Sequence, residues 1–354
     1  MQVQPTSTDA ALDEWRRAQF GVTDVLRRLQ GDAFAAFGLG PSECTYGIVA
    51  ADSYWRLRDY GSHDSSMPLL IVAAPIKRPY IWDLSPSVSA IRYCLSQRLR
   101  VHMLEWMPAS RGSGNNGIEE YVRAIADCIA KISDAAAGTK PFLIGHSLGG
   151  TLAAIYASLA SEKLSALVLL SAPLCFEPQA NGFRNALVSL VPPNLSETEP
   201  FPGSLLSHMS ALASPATFIW SRLMDAILSA TDQRALEIHA RVERWALDEV
   251  PLPGKLVHQI VEWLYRENRF CGEALKIHEA LIGPFSLSAP TLAVVNMADD
   301  VAGLSSVKPF VDALPTNMRV LLNFQGRSEF VCNISAYWLA GKRARRFGRR
   351  SFPG

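Results

Sequence analysis

Ser147 lies in the run Phe142-Leu-Ile-Gly145-His146-Ser147-Leu148-Gly149-Gly150-Thr-Leu-Ala-Ala. The core of the run is Gly-x-Ser-x-Gly, set between an apolar stretch with strand character and one with helix character. A serine on a tight strand-to-helix turn is a nucleophile elbow. Small residues two places before and two after it, Gly145 and Gly149, let such a turn close. The helix then points its first N–H groups at the reacting centre, and the N–H of Leu148 is placed to stabilise an oxyanion. The chemistry that fits is attack on an acyl carbonyl and passage through an acyl-enzyme. The alternative is a glycine-rich turn in which Ser147 only caps the helix.

The elbow needs partners. A second oxyanion donor is expected in the loop after the preceding core strand, Ala74-Pro75-Ile76-Lys77-Arg78, and the N–H of Ile76 is the candidate. Lys77 and Arg78 read either as contacts for a substrate phosphate or carboxylate or as solvated loop charge. An acid is expected in Asn296-Met-Ala-Asp299-Asp300, after a later strand, where a carboxylate would orient an imidazole. Either aspartate is placed for it, and a loop aspartate capping a turn is the plainer reading. The imidazole should follow the last core strand, yet the chain has no histidine beyond His278. Of those present, His146 sits inside the elbow with its ring expected to aim away, His102 falls on a core strand, and His258 falls in a helical segment from which it could reach over Ser147. Each is read first as structural. Without a base, a serine hydroxyl is a weak nucleophile near neutral pH.

The elements that must position these residues follow from hydrophobic period. Residues 9–36 carry Phe20, Val22, Val25, Leu26 and Leu29 near period 3.6 and read as helix. Residues 46–60 supply early strands. Residues 68–74 are a short unbroken apolar run, the pattern of a strand buried on both faces. A helix over 85–98, a strand over 100–106, a helix over 118–137, the elbow strand over 141–144, a helix over 148–160 and a strand over 164–171 follow. Strands alternating with helices predict parallel βαβ units. From Leu174 to about Ser288 the reading is helical with no clear strand, as for a lid; strands resume at 291–295 and 319–324.

The chain has 354 residues, 49% of them hydrophobic and 19% charged, which excludes disorder and predicts a large core. The net charge is +1, which gives no electrostatic case for nucleic acid. Six cations and no acid fall in the last fifteen residues, so the residues before them sum to −5. Gly341–Gly354 has no helical stripe. It reads either as the mark of a changed frame near residue 326 or as a basic contact for an anionic polymer, membrane or nucleic acid. The six cysteines form no metal-like cluster and are expected as free thiols. No basic start precedes an apolar run, and no apolar run reaches the roughly 18 residues of a membrane span, so a cytoplasmic protein is expected.

Three stretches together resemble polyhydroxyalkanoate synthases, polyester-forming enzymes of the α/β-hydrolase superfamily. They are Pro75-Ile-Lys-Arg-Pro79-Tyr80-Ile81-Trp-Asp83-Leu84-Ser-Pro86 with Ser89, Arg92 and Trp106 beyond it, the elbow with Gly149-Gly150-Thr151-Leu152, and Trp245-Ala-Leu-Asp248-Glu-Val-Pro-Leu252-Pro253-Gly254-Lys255 continuing to Tyr265 and Asn268. The resemblance covers about residues 45 to 305. It implies an α/β-hydrolase fold: a mostly parallel central sheet flanked by helices, with a helical lid inserted between sheet strands. It also implies a cytoplasmic enzyme that takes hydroxyacyl groups from coenzyme A thioesters, and a lid that controls access and contributes to a homodimer or a synthase-type partner contact. It favours Asp299 over Asp300 as the acid. Two departures stand out. The synthases use cysteine where this chain has Ser147, and a thiolate suits thioester exchange better than an alkoxide does. The family's histidine falls at Gly326–Arg327, where the chain has Arg327.

The expected organisation is a helical segment over 1–44, a core over 45–175 and 289–340, a lid over 176–288 and a basic, irregular tail over 341–354. Two readings stand. One is acyl transfer or ester hydrolysis through Ser147, oriented by Asp299, with Leu148 and Ile76 as oxyanion donors and hydroxyacyl-CoA or polyester-like substrates. The other is a pseudoenzyme that binds acyl-CoA, polyester granules or a synthase partner. No cofactor is expected beyond coenzyme A as part of a substrate.

Overall fold

The structure is a computed structural model and describes residues 7–61, 67–110, 115–178, 181–191 and 195–324. Eight strands form the central sheet: β1 (Gly47–Ala51), β2 (Trp55–Asp59), β3 (Pro68–Val72), β4 (Arg100–Trp106), β5 (Phe142–His146), β6 (Ala166–Leu170), β7 (Thr291–Asn296) and β8 (Arg319–Phe324). Their order across the sheet is β1-β2-β4-β3-β5-β6-β7-β8. β2 runs antiparallel to both its neighbours, and β4, β3 and β5 through β8 run parallel. All five residues of β3 are buried, as its unbroken apolar run predicts for a strand covered on both faces.

The core helices are α2 (Ala90–Ser96), α3 (Ile118–Ala135), α4 (Leu148–Leu159) and α10 (Leu304–Ala313). α3 buries Ile118, Tyr121, Val122, Ile125, Ile129 and Ile132 along one face, the spacing a helix needs to lay one stripe on a sheet. The Glu120 carboxylate caps its start, accepting from the Gly117 N–H at 2.6 Å. The helix expected over 85–98 is shorter, because a small hairpin of Asp83–Ser85 and Val88–Ser89 precedes it. Ser89 then caps α2 by accepting from the Arg92 N–H.

Between β6 and β7 the chain builds the lid from α5 (Gly182–Leu190), α6 (Gly203–Ala213), α7 (Ser221–Ser229), α8 (Gln233–Leu247) and α9 (Gly254–Gln259). The lid segment is not free of strand as expected: Leu275–Ile277 and Ala280–Ile282 form an antiparallel hairpin. Three-residue strands are too short to show a period of two. The N-terminal helix α1 (Ser7–Phe34) docks on the lid through polar contacts. Asp24 Oδ1 accepts from the Ser204 N–H at 2.8 Å, and Arg27 pairs with Glu249 at 2.7 Å. Its apolar positions Val22, Val25, Leu26 and Leu29 are exposed. They form a helical stripe but do not face the core.

The expectation of free thiols fails at one pair. Cys175, just past β6, is bonded to Cys271 in the lid across 96 residues. Cys44, Cys94 and Cys128 are free; Cys332 lies outside the described residues, as do Arg327 and the basic tail. No helix among the described residues is long and apolar enough to cross a membrane.

Candidate active site

Ser147 sits between β5 and α4 with φ 52° and ψ −134°, a conformation that L residues rarely adopt. Its N–H donates to the Leu170 carbonyl at 3.0 Å. Glycines allow the turn to close. A Cβ on Gly145 would lie 2.4 Å from the Gly150 Cα, and one on Gly149 would lie 2.5 Å from the Val72 carbonyl oxygen. Gly150 is as constrained, since its Cβ would meet that of Ala172 at 2.5 Å. Leu148 opens α4, so its N–H has no acceptor within the helix.

The elbow faces a cavity of about 190 Å³ between sheet and lid. Ser147, Leu148, Ile76 and Asp299 all line it, so residues far apart in sequence meet there. The lid side is mainly apolar, with Phe183 and Leu187 from α5, Leu206 from α6, and Phe218, Ile260 and Val261 from elsewhere in the lid. Such a surface suits an acyl chain and disfavours a highly charged group.

Asp299 is buried at the end of β7 and its Oδ1 accepts from the N–H groups of Val301 and Ala302, both at 2.9 Å. The Ser171 side chain also hydrogen-bonds it. Burial outweighs these bonds and raises the Asp299 pKa above the usual carboxylate value. Asp300 is exposed and does not line the cavity. Tyr265 reaches the cavity from the lid, its ring tilted against that of Phe176 with centroids 4.3 Å apart, and feels the Asp299 charge.

Ile76 belongs to a loop fastened to the lid. Its carbonyl accepts from the Val250 N–H at 3.0 Å, and the Arg78 N–H donates to the Asp248 carbonyl at 3.3 Å. The Trp245 indole N–H donates to the Arg78 carbonyl at 2.8 Å. Lys77 lines the cavity and is also held by the lid. Its ammonium donates to the Ala246 carbonyl, pairs with Glu249 at 3.3 Å and lies over the Trp245 ring. Burial pulls its pKa down to about 8. Arg78 keeps a half-exposed side chain, 3.8 Å from Glu105.

The three histidines considered as bases separate. His102 is near the start of β4, buried, 3.7 Å from Asp59. It pairs in register with Leu70 in the middle of β3, whereas the cavity opens past the end of that strand, at Ala73 and Ala74. His258 pairs with Glu197 at 3.4 Å and does not line the cavity. His146 does line it, with its ring edge-on to Trp82 at 6.3 Å, and burial lowers its pKa to about 4. Sequence reasoning missed Ser171. Its only signal was its place one residue past a strand that borders the elbow.

Residues 85–322 match the family model described as alpha/beta hydrolase fold, and the chain belongs to that family. Within it, the chain resembles the polyhydroxyalkanoate synthases. It is 27% identical to the poly(3-hydroxyalkanoate) polymerase subunit PhaC of Haloferax mediterranei, over 76% of this chain and 56% of that protein. It is 26% identical to the PhaC subunit of Synechocystis, over 79% and 76%, and 22% identical to that of Allochromatium vinosum, over 82% of each. The chain thus spans about half the length of the Haloferax relative. Among solved structures, naproxen esterase from Bacillus subtilis superposes with a TM-score of 0.50 at 12% identity, over 92% of this chain and 98% of that one. MGS-M2, an α/β hydrolase enzyme from a deep-sea metagenome, gives 0.50 at 11%, over 87% and 99%. At those identities the shared property is the fold.

Proposed function

We propose that the chain is an acyl-transfer or ester-hydrolysing enzyme that works through Ser147, on hydroxyacyl thioesters or polyester-like esters. The observation that carries this reading is the strained Ser147 elbow sharing one apolar-walled cavity with buried Asp299. Ser147 Oγ bonds to the acyl carbon. The tetrahedral oxyanion takes the N–H groups of Leu148 and Ile76. With a thioester, the C–S bond then breaks and the Oγ proton ends on the departing thiol. Water or a substrate hydroxyl then attacks the acyl-enzyme and restores Ser147. Asp299 would orient the group that carries the proton. The resemblance to the polymerase subunits supports a hydroxyacyl substrate, and the apolar lid wall supports the acyl chain. A lid contact with a second copy or a synthase-type subunit belongs to the same proposal, as does a cytoplasmic location.

A second reading, a binding protein without turnover, is favoured by one observation. The one histidine lining the cavity among the described residues is His146, and its burial disfavours protonation. Intact mass after exposure to a fluorophosphonate separates the two. A single adduct, lost in Ser147→Ala, supports the enzyme reading. Well-folded protein that takes no adduct overturns it and leaves the binding reading.

A further inference from the structure

We propose that Ser171 is a positioning residue that holds the Asp299 carboxylate in register with Ser147. This deepens the reading of Ser147 as nucleophile and Asp299 as acid, and rests on it.

Ser171 is the first residue past β6 and faces the cavity. Its φ is +41°, in the left-handed region. Seven described non-glycine residues share a positive φ, and Ser171 alone among them is buried, at 3% exposure. A non-glycine residue held there is strained and persists only where the surroundings impose it. The surroundings here are specific. The Ser171 N–H donates to the Val294 carbonyl at 2.9 Å, which ties it to β7, the strand that leads to Asp299. The carbonyl of its neighbour Leu170 accepts from the Ser147 N–H. One turn of chain therefore grips the nucleophile's backbone on one side and the acid's strand on the other. The Ser171 hydroxyl completes the link by hydrogen-bonding the Asp299 carboxylate.

The two backbone donors on Asp299, from Val301 and Ala302, belong to its own loop and move with it. Ser171 anchors the carboxylate to the body of the sheet. Tyr265 from the lid and Asp300 from its own loop also act on Asp299.

The test compares Ser171→Gly, which accepts the backbone conformation, with Ser171→Ala, which removes the hydroxyl and keeps the strain. Ser171→Asn tolerates a left-handed φ and restores a donor. The rate of fluorophosphonate labelling of Ser147 is followed against pH, with the melting temperature alongside. Both hydroxyl-free variants should label about 10- to 100-fold more slowly, the effect of losing a hydrogen bond to a charged group. Their acidic limb should move to higher pH, while Ser171→Gly melts no lower than the parent. Ser171→Asn should recover part of the rate. In an Asp299→Asn background, Ser171→Gly should change the rate less than twofold. The proposal is overturned by parental labelling and an unmoved limb in Ser171→Gly, or by Ser171→Gly and Asp299→Asn multiplying as independent effects. If the parent itself takes no label, the reading of Ser147 fails first. Ser171 is then judged by the infrared band of the protonated Asp299 carboxyl, identified by its loss in Asp299→Asn. Its titration midpoint must rise in Ser171→Gly, and an unmoved midpoint sinks the proposal.

Discussion

Lys77 and Glu249 face each other at 3.3 Å across the seam between the lid and the loop after β3, and Arg27 of α1 pairs with the same carboxylate. Three segments distant in sequence meet there in a buried ion cluster. Buried charges are tolerated only when paired, and removing one partner usually costs more than the pair contributes.

The cluster has a pH signature. Lys77 titrates near 8 when folded and near its ordinary, higher value when unfolded. Between those values the unfolded chain binds more protons, so this group makes stability rise with pH from about 8 to about 10.5. Below pH 8 the full cost of burying the ammonium is present. Lys77→Met should remove this rise, with Arg27 still holding Glu249. Melting temperatures of parent and variant from pH 7 to 10.5 should converge as pH climbs. Parallel curves would mean that Lys77 keeps its proton throughout.

Asp299 should trade stability for activity. Its folded pKa is raised, so its stabilising effect belongs to low pH and is lost as pH rises through the folded value. Once ionised, the carboxylate is a net cost of burial. Asp299→Asn keeps an oxygen for the Val301 and Ala302 donors. It should melt at or above the parent at pH 7 while labelling at Ser147 falls at least about 100-fold, the scale of losing a catalytic proton relay. The exposed Asp300→Asn should change neither by much. A sharp loss in Asp300→Asn with an active Asp299→Asn would reverse the assignment.

Gly149→Ala should disable the elbow without touching its chemistry. The new methyl would press on the Val72 carbonyl at 2.5 Å, a backbone atom that cannot rotate aside. Overpacking of this kind costs about 1–3 kcal/mol. Chemical denaturation should show that loss, and labelling of Ser147 should vanish in the folded variant. A variant as stable and reactive as the parent would mean that β3 and α4 are less tightly apposed than described.

Much of the sheet was readable because its strands are short apolar runs bounded by glycine and proline, and the elbow announced itself by Gly145, Ser147 and Gly149. Asp299 was readable only given where the fold puts its loop. The rest depends on distances through space. Cys175 and Cys271 are 96 residues apart and carry no local pattern. Ser171 owes its interest to a left-handed backbone and a neighbouring strand, neither written in its own residue type. Lys77 read as either a substrate contact or solvated loop charge, because nothing near it in sequence announces Glu249. The hydrophobic stripe of α1 was read for period alone, and period does not say which face packs.

The fastening of the Ile76 loop to Trp245, Asp248 and Val250 bears on how such a molecule can be recombined. The lid and the loop after β3 are separate in the chain yet form one mechanical piece. A chimaera that exchanges residues 176–288 alone would bring in a lid shaped for another loop and misplace the backbone that borders Ser147. The exchangeable unit is discontinuous. It comprises the lid together with residues 74–82, and any graft of a new lid onto this scaffold has to carry both.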